Sequence, residues 1–324
     1  MRTAKLHHYV PQFYFRRFAN TEGRLWVWDK TTDKSFQTGT KSVAAQSDFY
    51  KLDEFAALGY DPLTMEKQFA GIETEFSLIT NQWLNWLMEL TPREKIQIPT
   101  VNRQIVSTYI ALQFLRTADA KDIICAFEDC ALRNALSGED RKYLQAMYLM
   151  DVGLAEPVAK KDQDSLAKPP ARDSLSDNEK TRIHTEYLWD QDFIGAVAKR
   201  IEDSIWIFGR NLSEYPFFTS DNPVAFKTGD NRKWIKAGFL TEGTYVVFPL
   251  SPQIVMYCKE RSFWHKVAVF DNALSPVDFS VGLVEHENAG QVFMASRFVV
   301  SSVNDFAFAR EFSKTIGTDQ YATG

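Results

Sequence analysis

The residues with the clearest chemical potential form a short block near the start of the chain, from His7 to Phe18. Pro11 keeps the residue before it extended and can open a helical turn. If the following residues are helical, Gln12 and Arg16 are four positions apart and share one face. His8 then lies just before the helix, beside outward-pointing amide groups. This pattern predicts an anion-binding corner in which a neutral His8 acts as a general acid or base, or binds a metal ion.

The same block also has a structural interpretation. Val10, Tyr14 and Phe18 recur every four residues, so they can anchor a short helix to the core. Gln12 and Arg16 then merely face water. The spacing by itself allows both interpretations.

The six residues from His7 to Gln12 resemble the signature of a bacterial family of domains of unknown function, which is defined by an N-terminal His-His-Tyr-Val-Pro-Gln motif. Further stretches resemble weaker motifs of that family and extend the resemblance over nearly the whole chain. They are Glu66 and Glu73, the pair Gln113 and Arg116, the block from Phe218 to Val224 with its Thr-Ser-Asp-Asn-Pro core, and the stretch from Phe248 to Pro252 with Asn288. The family has no established activity, so the resemblance implies a set of positions and no reaction.

Two of these positions are the glutamates of the first long predicted helix. Glu66 and Glu73 are seven residues apart, which places them on nearly the same face but about 10 Å apart along the axis. They cannot easily hold one ion together. Each flanks the apolar stripe of the helix, so it is either a half-buried functional carboxylate or part of a solvated helix edge.

The second predicted helix carries Tyr109, Gln113 and Arg116 on one face. A guanidinium group on an apolar helix needs a partner. That partner is either Glu73, in a structural ion pair, or an anionic ligand that Arg116 grips with two hydrogen bonds.

The block from Thr219 to Pro223 follows an aromatic strand. Ser220, Asp221 and Asn222 readily form a side-chain-stabilised turn whose exit Pro223 fixes. Alternatively, the strand end presents Asp221 rigidly as a metal ligand or a base, with Ser220 beside it, because functional groups often lie on loops that a rigid scaffold holds.

Composition and missing motifs narrow the function classes. The 324 residues carry a net charge of −5, which argues against coating nucleic acid by bulk charge but leaves a local basic patch open. The three cysteines form no Cys-x-x-Cys pair, which indicates a reducing compartment. The P-loop, GxGxxG, HExxH and GxSxG motifs are missing. Without an apolar stretch of membrane-spanning length or a signal peptide, we expect a cytoplasmic protein without membrane contact.

The remaining histidines are isolated residues. We expect His184 on a polar helix face, His265 in an aromatic loop and His286 at a strand end between two glutamates. Alternate residues of a strand point to opposite faces, which weakens a metal site at His286.

Hydrophobic periodicity predicts a helical middle of the chain. Helices are expected over 63–90, from Pro99 to about Arg116, across 120–150, and from the capping box at Ser176 to about Phe208. A polar loop is expected at 156–175.

Strand patterns frame this middle. A hairpin is expected over 24–37, and short strands at 217–219, 244–248, 254–259, 267–270, 281–285 and 292–300. Segregated blocks of strands and helices predict an α+β fold, in which the helical middle at 63–208 packs on a mostly antiparallel sheet that the N-terminal hairpin and the C-terminal strands form together. We expect a single domain over 1–324, with a possible subdivision into 63–208 and a β-rich part made of 1–62 and 215–324.

Two functional hypotheses follow. In the first, the protein is a hydrolase of an anionic phosphodiester or nucleotide. His8, Asp221 and Glu73 are catalytic or bind a divalent metal ion, and Arg16 orients the substrate. The substrate-binding set is Gln12, Arg16, Gln113, Arg116 and Ser220. In the second hypothesis, the same residues form a buried structural network of a non-catalytic sensor or binding module. The first hypothesis requires His8, Arg116 and Asp221 to line one solvent-connected cleft.

Overall fold

The structure, a computed structural model, describes residues 6–47, 49–50, 64–133, 175–227 and 243–316. It has the predicted α+β fold with antiparallel sheets. The expected loop at 156–174 and the helix expected beyond Arg133 lie outside the described residues. The proposed division into one or two domains stays a prediction.

Helices alternate with short strands along the described chain. The helices are α1 (Gln12–Arg16), α2 (Thr64–Glu89), α3 (Thr100–Leu115), α4 (Ala118–Arg133), α5 (Asp177–Trp189), α6 (Gln191–Asp203), α7 (Val281–Met294) and α8 (Ala307–Ser313), with 3-10 turns at Thr40–Ser42 and His265–Phe270. The strands are β1 (Leu6–His8), β2 (Leu25–Asp29), β3 (Lys34–Thr38), β4 (Ala45–Ser47), β5 (Ile96–Gln97), β6 (Ile205–Asn211), β7 (Thr219–Ser220), β8 (Ala225–Lys227), β9 (Tyr245–Pro249), β10 (Ile254–Lys259), β11 (Ala273–Leu274), β12 (Pro276–Phe279) and β13 (Phe298–Ser301).

The strands form two larger sheets. The order β3-β2-β13-β7 is antiparallel throughout and joins the N-terminal hairpin to two of the later strands, so the one sheet expected from the hairpin and the C-terminal strands is divided into two. The second sheet has the order β12-β6-β10-β9-β8, and within it β12 pairs with β6 in parallel. The short strands β1 and β4 pair with each other, as do β5 and β11.

The N-terminal helix α1 packs against strands of both larger sheets through Tyr14. The ring of Tyr14 stacks on Phe248, and its hydroxyl lies 2.8 Å from Thr219 Oγ1 and donates to the carbonyl of Pro249 over 2.7 Å. Val10 and Phe18 are fully buried. The structural role expected for this apolar face is therefore confirmed.

The helix expected from Ser176 to Phe208 is two helices and a strand. The capping box at Ser176 is present, but Asp190 ends α5 and caps α6 by accepting from the amide of Phe193 over 2.9 Å. The residues after Asp203 form β6, which lies between β10 and β12 and is buried along its whole length. Sheet pairing overrides the apolar helical pattern there.

Three predicted strands near the C-terminus differ from the structure. The stretch at 281–285 belongs to the helix α7, and the strand expected at 292–300 is helical up to Met294 and becomes a strand only from Phe298. The expected strand at 267–270 is part of a 3-10 turn. Short apolar runs do not distinguish a strand from a buried helix.

Candidate functional site

A pocket of about 300 Å³ lies between the N-terminal block and α2. The loop before α1 and α1 itself form one wall, α2 forms the other, and the end of β1 closes one side. Its lining residues are His8, Pro11, Gln12, Phe13, Arg16, Glu66, Phe69 and Glu73. The pocket therefore brings together His8, Gln12, Arg16 and Glu73 from the predicted site, and adds Glu66.

His8 is half-buried at the end of β1. Its Nε2 atom lies 3.2 Å from the carbonyl oxygen of Lys41, which can only accept, so Nε2 carries the proton and Nδ1 keeps its lone pair. Burial lowers the pKa of the His8 imidazole, while Glu66 and Glu73 act to raise it. A neutral imidazole with an available lone pair can accept a proton.

Helix α1 supplies Gln12 and Arg16 to the pocket from one face, as the four-residue spacing predicts. Pro11 is extended and directly precedes the helix. Because α1 has only five residues, its first amides do not form an anion site, and the expected anion-binding corner depends on the side chains alone and stays a prediction.

Glu73 forms an ion pair with Arg116 across α2 and α3. The distance from Glu73 Oε1 to Arg116 Nη1 is 2.7 Å, and Arg116 is 1% exposed. Its guanidinium also lies 5.2 Å from the ring centre of Phe69. Of the two partners expected for Arg116, the structure therefore shows the structural one.

Gln113 and Arg116 bind the backbone of the signature segment, His7 to Gln12. Gln113 Nε2 and Arg116 Nε both donate to the carbonyl oxygen of Tyr9, over 3.1 and 3.0 Å. Both side chains are buried and neither lines the pocket. They position the loop between His8 and Gln12, and the expectation that they contact substrate stays a prediction.

Asp221 lies elsewhere, which corrects the expectation that it shares a wet cleft with His8 and Arg116. Its carboxylate is 3% exposed and accepts from the amides of Ser296, Arg297 and Phe298 over 3.0, 2.8 and 3.1 Å. Burial raises its pKa to about 6, against the lowering effect of these three bonds. Asp221 therefore ties the turn after β7 to the start of β13.

Ser220 is fully buried beside Asp221 and also has a structural role. Its hydroxyl lies 3.0 Å from Gln291 Oε1 and accepts from the amide of Asn222 over 3.2 Å. One turn away on α7, Asn288 accepts from the amide of Phe218 over 2.7 Å. The side-chain-stabilised turn predicted for this block is the one observed, and Gln291, which the sequence pattern did not single out, completes it.

Two histidines are buried against Tyr50. His7 accepts from the amide of Tyr50 over 3.0 Å, and His184, which was expected on a polar face, is fully buried and donates from Nε2 to the carbonyl of Leu115 over 2.9 Å. Burial lowers the pKa of His184 to about 3. Because α5 packs on α4 and its neighbours, the face that reads as polar in sequence is an internal one.

The metal set considered for His8, Glu73 and Asp221 does not assemble. Among the described ranges, no three or more His, Cys, Asp or Glu side chains are grouped so that they could hold a metal ion. In the same part of the chain, every helix is too short or too polar to cross a bilayer.

The structure is an α+β protein with a small polar pocket between its N-terminal segment and α2. A family model described as "Protein of unknown function (DUF4238)" matches residues 6–305, so the chain belongs to this family. No curated protein and no solved structure shows a match to the chain.

Proposed function

We propose that the protein is a hydrolase that acts on an anionic substrate, a phosphodiester or a nucleotide, in the pocket between α1 and α2. This site differs from the cleft that the sequence hypothesis required, because Arg116 and Asp221 are buried and do not line the pocket. The observation that carries this proposal is the meeting of an imidazole, an amide, a guanidinium and two carboxylates in one pocket: His8, Gln12, Arg16, Glu66 and Glu73. His8 and Gln12 belong to the signature motif and Arg16 follows it on α1, whereas the two carboxylates come from α2.

The chemistry assigns a separate task to each group. His8 Nδ1 takes a proton from a water molecule whose oxygen bonds to phosphorus, while the bond from phosphorus to the leaving oxygen breaks. The proton then returns from His8 to the leaving oxygen. Arg16 and Gln12 donate hydrogen bonds to the phosphoryl oxygens as negative charge builds up on them.

The carboxylates act through charge. Burial lowers the pKa of His8, and Glu66 and Glu73 act against this lowering, so they favour the imidazolium that forms when His8 takes the proton. Arg116 pairs with Glu73, so Glu73 repels an incoming anion less than an unpaired carboxylate would. Arg16 is exposed at the rim, where it can attract the anion first.

A binding module is the second candidate function. It is favoured by the number of family-motif residues that make structural hydrogen bonds. Gln113, Arg116, Ser220 and Asp221 are buried and bind backbone groups, and Arg116 and Ser220 also bind the side chains of Glu73 and Gln291. In this case the pocket binds its anion without turnover.

Hydrolysis of bis(p-nitrophenyl) phosphate, measured with and without Mg²⁺, tests the proposal. His8→Gln keeps a donor for the Lys41 carbonyl but loses the base, so we expect a 100-fold or greater loss of kcat at an unchanged melting temperature. Arg16→Gln should mainly raise KM. His265→Gln, on an exposed histidine, is the matched control and should keep full activity.

Two outcomes would contradict the hydrolase. One is a His8→Gln variant that retains wild-type kcat. The other is a wild-type protein that binds phosphate esters but releases no product. If Arg16→Gln also weakens the affinity for these esters, the result would establish the binding module.

A further inference from the structure

We propose that the ligand of this pocket is amphipathic: a phosphate ester whose apolar arm binds in a second cavity, on the other side of Phe69. This inference rests on the proposed function of the pocket and names the class of substrate. The second cavity has a volume of about 440 Å³ and lies between α2, α3 and the junction of α5 with α6.

Phe69 is the residue that both cavities share. On α2, Glu66 and Glu73 lie to one side of the buried stripe that contains Phe69, while Gln68 and Ile72 lie to the other side. The first pair lines the polar pocket and the second pair lines the second cavity. The two cavities therefore flank one aromatic ring.

The second cavity differs in chemistry from the first. It is lined by apolar side chains, among them Met65, Ile72, Leu112 and Ile194, and by uncharged polar ones. Among the described residues, none that lines this cavity carries a charge, whereas four of the eight that line the pocket between α1 and α2 are His, Arg or Glu. Such a space favours a hydrocarbon or aryl group over a phosphate or a sugar.

Trp189 adds a large aromatic surface to this cavity. It ends α5 and is 41% exposed, although its neighbour Leu188 is buried. An indole at the edge of a cavity, with much of its surface in water, is stabilised when an apolar arm of a ligand covers that surface. The proposed pose places the phosphoryl group at Arg16 and leads the arm past Phe69, which lines both cavities, to Leu112 and Trp189.

The test is the affinity of a series of alkyl phosphates for the full chain. Dissociation constants are measured by calorimetry for methyl, butyl, hexyl and octyl phosphate, below the concentrations at which they form micelles. We expect the dissociation constant to fall by up to about fourfold for each added methylene, because each one leaves water for an apolar space.

Variants then locate the arm. Thr108→Trp fills the cavity from α3 and should remove the dependence on chain length while leaving the affinity for methyl phosphate within twofold. Gln104→Trp, one turn earlier on the exposed side of α3, is the matched control and should keep the dependence. Gln68→Trp fills the same cavity from α2, so it replaces Thr108→Trp if that variant does not fold.

The outcomes separate the two proposals. Equal affinity of the wild type for methyl and octyl phosphate overturns the amphipathic ligand while the hydrolase stands. A chain-length dependence that survives both cavity-filling variants also overturns it. Binding of none of these esters, together with no hydrolysis, overturns the proposed function itself.

Discussion

The ion pair between Glu73 and Arg116 is the connection between the pocket and its scaffold, and we expect the two residues to be strongly coupled. Arg116→Met removes two hydrogen bonds of a charged group, one to Glu73 and one to the carbonyl of Tyr9. At about 1.5–3 kcal/mol each they sum to about 3–6 kcal/mol, and the apolar packing of Met offsets part of this. We expect the free energy of unfolding to fall by about 3 kcal/mol.

Glu73→Gln should cost less. It keeps an oxygen that can accept from Arg116, but it leaves a guanidinium that is 1% exposed without a counter-charge. Losing one partner of a fully buried pair costs about 3–5 kcal/mol, and the 24% exposure of the Glu73 side chain lets water relieve part of this, so we expect about 2 kcal/mol.

Urea unfolding of the wild type, both single variants and the double variant completes the cycle. Once Arg116 is replaced, losing the charge of Glu73 should cost little, so the double variant should resemble Arg116→Met. The coupling free energy should then be about 2 kcal/mol. Additivity of the two single effects within about 0.5 kcal/mol would refute the reasoning, because independent sites behave in that way.

Three further predictions concern buried groups. Burial lowers the pKa of His184 to about 3, compared with about 6.5 in the unfolded chain. The contribution of the neutral imidazole to stability is therefore complete well above pH 6.5 and falls by about 2 kcal/mol at pH 5. His184→Gln should flatten the pH dependence of the urea midpoint, and an unchanged slope would contradict this. Asp221→Asn places an amide NH₂ group opposite backbone N–H donors, so the free energy of unfolding should fall by about 3 kcal/mol. Urea unfolding at pH 7.5 measures this. A loss of activity at unchanged stability would instead show that Asp221 takes part in the reaction. Gly209→Ala puts a Cβ atom 2.7 Å from the ring of Phe279, so the free energy of unfolding should fall by about 1–3 kcal/mol. Gly195→Ala on α6 meets nothing within 4 Å, so the free energy of unfolding should rise by about 0.5–1 kcal/mol. Melting temperatures that shift in the same direction for both variants would refute the packing argument.

Local patterns predicted the elements that local forces decide. The apolar stripe of α2, the start of α3 after Pro99 and the capping box at Ser176 all depend on residues within a few turns, and all three are present. The hairpin of β2 and β3 likewise follows from alternation and its turn.

The elements that were predicted wrongly are those whose partners are distant in sequence. The apolar stretch that forms β6 also fits a helix, and it becomes a strand because β10 and β12 lie on either side of it. The stretch of α7 fits a strand, and it is helical because one face, with Asn288 and Gln291, packs against the segment around Phe218 and Ser220. Periodicity alone does not contain these partners.

The candidate site shows the same division. The proline and the four-residue spacing predict that His8, Gln12 and Arg16 lie together on one short helix and its entry, and all three line the pocket. The distant groups that join them follow from the tertiary structure. It brought Glu66 and Glu73 into the pocket and turned Arg116 and Asp221 inwards to hold backbone and a carboxylate, since a buried charge must find its partner wherever the packed chain supplies one.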